Sequence, residues 1–250
     1  MRKTVCFLGI LMLSIGLLWA KDFWKEKPST EWTQEEARKM VSESPWARLV
    51  RITSPAAADL SAPTPSETGG AMATTSGGGY SSVAGGQPAT PSGTPGEGSA
   101  PVPETLYNVW WYSARTWRQG MARFQQLRGS LSADQAKSFV ETRPSEYVIA
   151  VRGDDMRAFQ GVSDDVLRGG TYLRARRTKH KLAPSRIELQ RSPDGQRISM
   201  ILFYFPRTVE GEPFVAPDEK GVDFVCEIKG LSLSTTFDVR NMKAWNELDL

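Results

Sequence analysis

Cysteine and histidine are nearly absent from this 250-residue chain, which holds two of the former, Cys6 and Cys226, and one of the latter, His180. No zinc site of the His/Cys type and no histidine pair can be assembled from that supply. Once the leader described below is set aside only Cys226 remains, which excludes an intramolecular disulfide. Cys226 alternates with Phe224 and Ile228 on one apolar strand face, the setting of a buried and inert thiol. The chain also lacks a P-loop, a dinucleotide fingerprint, an EF-hand loop and a G-x-S-x-G context, so a Ser-His-Asp triad on His180 has no local support. Nor is there an excess of one charge. The net charge is +3, and Arg2 and Lys3 lie in the leader, which leaves about +1 and argues for no polyanionic partner, nucleic acid included.

Long apolar runs are scarce, and the first is N-terminal. Met1-Arg2-Lys3 precedes an apolar core from Val5 to Leu18, and Ala20 stands just before the charged pair Lys21-Asp22. Residues 1–20 therefore have the layout of a secretory signal, although Leu18 is bulky where a small residue is preferred. Val5 to Ala20 falls just short of the roughly 17 to 25 residues that span a bilayer, so a retained anchor is the alternative to cleavage. Cys6 lies too early, and inside the apolar core, to be a lipidated cysteine. The leader predicts export, to the periplasm or beyond the cell, with membrane contact only if it is kept.

Charge and large side chains are scarce again from Ser54 to Pro103, a stretch mainly of Pro, Gly, Ser, Thr and Ala with Tyr80 as its lone aromatic. Such a composition cannot bury enough apolar area to offset the entropy of ordering it, and reads as a disordered linker over 54–103. Removing leader and linker leaves about 180 residues, one domain of ordinary size. The segment 21–53, with a capping box at Thr33 and Glu36 and a strand from Trp46 to Ile52, is a poor core alone. It is expected to pack on the domain 104–250, the strand pairing with Leu106 to Tyr112 across the long loop, because loop closure grows only slowly with length.

What is there in that domain is β-prone. Arg197 to Pro206 (RISMILFYFP) is apolar on both faces of an extended chain and predicts the central strand of a sheet. Ser192-Pro193-Asp194-Gly195 turns Arg186 to Arg191 back onto it, with Leu189 opposite Met200 for a two-residue loop or opposite Ser199 for a bulged three-residue one. Lys229-Gly230 predicts a second hairpin, in which Ile228 meets Leu231, Cys226 meets Leu233, Phe224 meets Thr235 and Val222 meets Phe237. Ser113 is expected to cap a helix with Ala114, Trp117, Met121 and Phe124 on its apolar stripe, Ser132 and Gln135 box a second, and Ser163 caps a third. Tyr147 to Val151 and Tyr172 to Arg176 are further strands, and Asn246 to Leu250 a terminal edge strand. The fold class is α+β, a mainly antiparallel sheet built from hairpins packed against two or three helices, with a long disordered insertion.

Candidate sites are sparse. Arg174, Arg176, Arg177, Lys179 and Lys181 surround His180 and read as a solvated basic edge or as an anion-binding patch. Asp154-Asp155 and Asp164-Asp165 offer carboxylates, although sequence neighbours diverge in direction. Trp110 and Trp111 must face opposite ways in a strand, so one could be an exposed platform for a sugar ring or an apolar partner. No catalytic, metal or cofactor residue is assigned. The runs EWTQEEARKM and SPWARLV between Glu31 and Val50, WWYSARTWRQGMARF at Trp110 to Phe124 and FYFPRT at Phe203 to Thr208 resemble a group of uncharacterised exported bacterial proteins. That resemblance implies an envelope-associated product and supplies no activity. The resulting expectation is an exported cell-envelope protein that binds or scaffolds an envelope protein or polymer. A secreted hydrolase using carboxylates and a membrane-anchored assembly subunit are the alternatives.

Overall fold

A computed structural model describes residues 22–53, 104–245 and 247–250, so the leader and the 54–103 linker lie outside the described residues. The described residues form an α+β fold with mostly antiparallel strands. The described residues up to Ile52 and from Glu104 onward belong to one compact unit. Its strands are β1 (Ala47–Thr53), β2 (Glu104–Trp111), β3 (Tyr147–Gly153), β4 (Thr171–Ala175), β5 (Lys181–Leu182), β6 (Arg186–Arg191), β7 (Ile198–Phe205), β8 (Thr208–Val209), β9 (Glu212–Pro213), β10 (Val222–Ile228), β11 (Leu231–Phe237), β12 (Lys243–Ala244) and β13 (Glu247–Leu248). Its helices are α1 (Gln34–Ser42), α2 (Arg115–Leu127), α3 (Ala133–Glu141) and α4 (Asp164–Gly170).

The strands make two main sheets, ordered β1-β2-β3-β7-β6 and β11-β10-β4-β5. The middle of the first is therefore β3, and the apolar run of β7 lies one place off centre, between β3 and β6. Its two-sided burial has a simple cause. One face of the sheet (Trp111, Ile149 and Phe203 in register) meets the second sheet, where Trp111 stands edge-on to Phe237 at 5.2 Å and Phe203 meets Phe224 at 5.7 Å. The opposite face, with Trp110, Ala150 and Leu202 in register, lies under helices, as the 5.4 Å contact of Trp110 with Trp117 on α2 shows. Helices α1–α3, the five-stranded sheet and the four-stranded sheet thus form three layers, and α4 packs apart from the other helices, against β10, β4 and β6.

β1 lies beside β2, so chain on either side of the linker meets in one sheet. Phe23, Trp24, Trp32 and Trp46 form an edge-on aromatic chain that seats the N-terminal segment in the same core. Polar ties fix the angle: Trp110 Nε1 donates to Val41 O at 2.9 Å and Arg123 Nε to Trp32 O at 2.9 Å. Both capping boxes form, at Thr33–Glu36 and Ser132–Gln135, and the Ser163 hydroxyl accepts from Val166 N.

The Lys229-Gly230 hairpin has the predicted register throughout, with Gly230 at φ 79°. The β6–β7 hairpin has neither register foreseen. Leu189 pairs with Ile201, and a bulge between Gln190 and Arg191 takes up the difference. The Pro-Asp-Gly turn is closed by Gly195 N to Ser192 O, but Ser192 N also bonds Arg197 O, so the loop is longer than either reading. The winning register keeps Leu189 in line with Ile201, Val151 and Val109, whose face is buried against the second sheet.

Ser113 does not cap α2. Its hydroxyl accepts from Val148 N, the N-cap is Ala114, and the Asp249 carboxylate takes the free amides, Oδ1 from Arg115 N at 2.8 Å and Oδ2 from Thr116 N at 2.7 Å. The buried side of α2 also runs through Thr116, Arg118, Gly120 and Ala122, whereas Met121 and Phe124 are only half-buried. α1 and α3 both pack on it, so burial follows its neighbours and not the simple stripe. The C-terminal residues pair as β13 with β12 and join neither main sheet as an edge.

Candidate functional site

The residues expected to carry function are placed differently from expectation. Trp110 and Trp111 are both buried, at 6% and 0% exposure, and neither is a surface platform. A two-sided aromatic strand is consumed by packing on both sides because this sheet is covered on both sides. Arg174, Arg176, Arg177, Lys179 and Lys181 do gather, on β4, β5 and the turn between them. Their charge is largely matched, however. Asp223, nearly buried, accepts from Arg174 Nε and Nη2 at 3.1 and 2.8 Å and lies 3.7 Å from Arg176 Nε, while Arg177 Nη2 is 3.0 Å from Asp218. Thr236 also donates to Asp223, so a polar row crosses β4, β10 and β11. Lys181 lies over the Tyr172 ring at 4.3 Å, and Lys179 occupies the turn at φ 62°.

The acidic pairs are not assembled into a centre. Asp155 is held by Arg157, whose hydrogen bonds keep its carboxyl below the usual range, and Asp164 and Asp165 open α4 as exposed acids. Among the described residues no group of three or more His, Cys, Asp or Glu is placed to hold a metal ion. Cys226 is fully buried, and desolvation pushes its thiol up to about 11, which makes it a poor nucleophile.

A different set of residues converges. The first turns of α2, the C-terminal end of α3 and the β12–β13 hairpin enclose a cavity of about 410 Å3. That volume falls inside the roughly 300 to 1,000 Å3 of small-molecule sites. Three arginines line it, Arg115, Arg118 and Arg143, together with three acids, Glu141, Glu247 and Asp249, and Trp245. Arg118 is 2% exposed, and its Nη1 donates to the carbonyls of Phe139 and Thr142 while its Nε has no partner among the described residues. Burial lowers the pKa of this guanidinium, and the nearby Asp249 charge opposes that effect. No carboxylate lies within ion-pair distance of Arg115, Arg118 or Arg143 among the described residues.

Trp245 is the other unusual member. It is 65% exposed, the most exposed large apolar side chain among the described residues, and its backbone sits at φ 52°. A bulky residue rarely adopts a left-handed conformation, and strain of this kind concentrates at binding sites. The carboxylate of Asp249 and the two-residue ladder of β12 and β13 hold that turn against α2. Sequence reading passed over Trp245 as one of many tryptophans. The available signal was its setting, between Lys243 and Glu247 with no apolar periodicity around it.

No protein-family model matches this chain, and no curated protein or solved structure is significantly similar to it. Among the described residues no helix is long and apolar enough to cross a membrane.

Proposed function

We propose that this is an exported bacterial cell-envelope protein that acts by binding another envelope component. The observation that carries the binding half is the cavity between α2, α3 and β12–β13, which three arginines without ion-pair partners line together with an exposed tryptophan. Fixed cations and an aromatic surface hold a ligand but do not by themselves break a bond. The export half rests on the leader layout of residues 1–20 and on the resemblance of the chain's outer segments to exported proteins.

The test is fractionation of bacteria producing the full chain, with mass spectrometry of the native N-terminus. Recovery outside the cytoplasm, with one reproducible envelope component co-purifying, supports the reading. Cytoplasmic protein that still begins at Met1 refutes it. An intact N-terminus in the membrane fraction instead selects the anchored assembly subunit. A second reading, hydrolysis, has one observation in its favour, since Glu141 and Glu247 line the same cavity. Product formation from an added oligosaccharide, lost on Glu141→Gln or Glu247→Gln, would establish it.

A further inference from the structure

From the lining of this cavity we infer that its ligand is a carboxylated sugar unit, bound with its ring on Trp245 and its carboxylate on Arg115 and Arg143. The inference rests on the binding role proposed above and adds the ligand class. Three features of the lining lead to it. An exposed indole at the rim of the cavity is an apolar plate that a ring can cover. Arg115 and Arg143 are exposed at the same cavity and planar, with donors spaced to grip a carboxylate through two parallel hydrogen bonds. Arg118, buried and with only carbonyl partners, adds positive potential that the nearby Asp249 carboxylate offsets only in part, since the two are not in ion-pair contact.

Glu141 and Glu247 decide between two carriers of a ring and a carboxylate. With Asp249, whose carboxylate already accepts from the Arg115 and Thr116 amides, they bring three negative charges to the lining, which would repel a ligand that is anionic all round. A sugar acid answers them, because its hydroxyl groups donate to carboxylates while its own carboxylate meets the arginines. An aromatic carboxylate has no donors for the two glutamates and would leave them facing its apolar edge.

Titration calorimetry of the purified full chain tests this with three probes: a galacturonic acid oligomer, the neutral galactose counterpart and benzoate. The expected result is saturable binding of the acidic oligomer alone, weakened about tenfold by Trp245→Ala and about tenfold or more by Arg143→Gln. Both positions are exposed, so the variants should keep the wild-type circular dichroism spectrum and melting temperature. Arg186→Ala, on β6 away from the cavity, should bind as wild type. No binding of the acidic oligomer, equal binding of the neutral one, preference for benzoate, or full affinity in Trp245→Ala would each overturn the inference. These failures leave the binding role standing if an envelope component still co-purifies, whereas cytoplasmic localisation removes that role whatever the calorimeter reads.

Discussion

Asp249→Ala should destabilise the fold from the far end of the chain. The Asp249 carboxylate replaces the absent side-chain cap of α2, and its two oxygens take the Arg115 and Thr116 amides at 2.8 and 2.7 Å. Losing an N-cap acceptor costs about 0.5–2 kcal/mol. Losing a negative charge at a helix N-terminus costs about 0.3–1 kcal/mol more. The expected loss is then about 2 kcal/mol, or a fall of about 4–8 °C in melting temperature for a domain of this size. The substitution isolates the side chain, because the bond from Trp46 Nε1 to Asp249 O at 2.6 Å involves only main chain on the Asp249 side. Asp249→Asn keeps one acceptor and drops the charge, so it should fall between Ala and wild type. Urea and thermal unfolding of the three proteins, with unchanged m-values, measure the series. An alanine variant within about 1 °C of wild type would refute the capping role.

Three other outcomes follow from the packing and the titrating groups. Gly120→Ala should lose about 1–2 kcal/mol despite better helix propensity, because the new methyl meets Met40 Cγ and lies 2.7 Å from Met40 Cβ in a fully buried α1–α2 contact; the loss should shrink in a Met40→Ala background, measured as a double-mutant cycle in urea. Glu219→Ala should cost at least about 2 kcal/mol in the same assay, since this buried carboxylate accepts from the amides of Arg177, Lys220 and Gly221. Alkali should unfold the protein early. Desolvation raises Tyr107 to about 12 and Cys226 to about 11, above their ordinary 10.0 and 9.0. Stability from each is complete below its ordinary value and is lost as pH rises through the raised one, by about 3 kcal/mol for each hundredfold difference in proton affinity. A pH series from 8 to 12 should show that decline, and Cys226→Ala should reduce it; native Cys226 should also resist a thiol reagent at pH 8 until denaturant is added.

Much of the fold was legible from local rules. Capping boxes at Thr33 and Ser132, the Pro-Asp-Gly turn and the Lys229-Gly230 register are short-range statements, each settled by a few neighbouring residues whose side chains compete for the same backbone groups. The α+β class followed from the same signals. The β6–β7 register was open because both faces of β7 are apolar, so alternation alone could not choose; packing against the second sheet chose.

The candidate site was hardly legible, since the residues from Arg115 to Arg143 and the hairpin residue Trp245 are about a hundred residues apart and none has a chemical signature. Arg118 reads as one more charged helix residue until α3 closes over it, and Trp245 reads as a core tryptophan until the β12–β13 turn leaves it outside. Trp110 and Trp111 went the other way, into the core on opposite sides of one sheet, because helices cover one face of it and a second sheet the other. What the residues alone determined was which segments extend, turn and coil, since those choices depend on sterics and hydrogen bonds within a few positions. Which faces meet, which helix end borrows a carboxylate from Asp249 and which tryptophan stays in water were decided only by the tertiary structure, because burial depends on the whole packed chain.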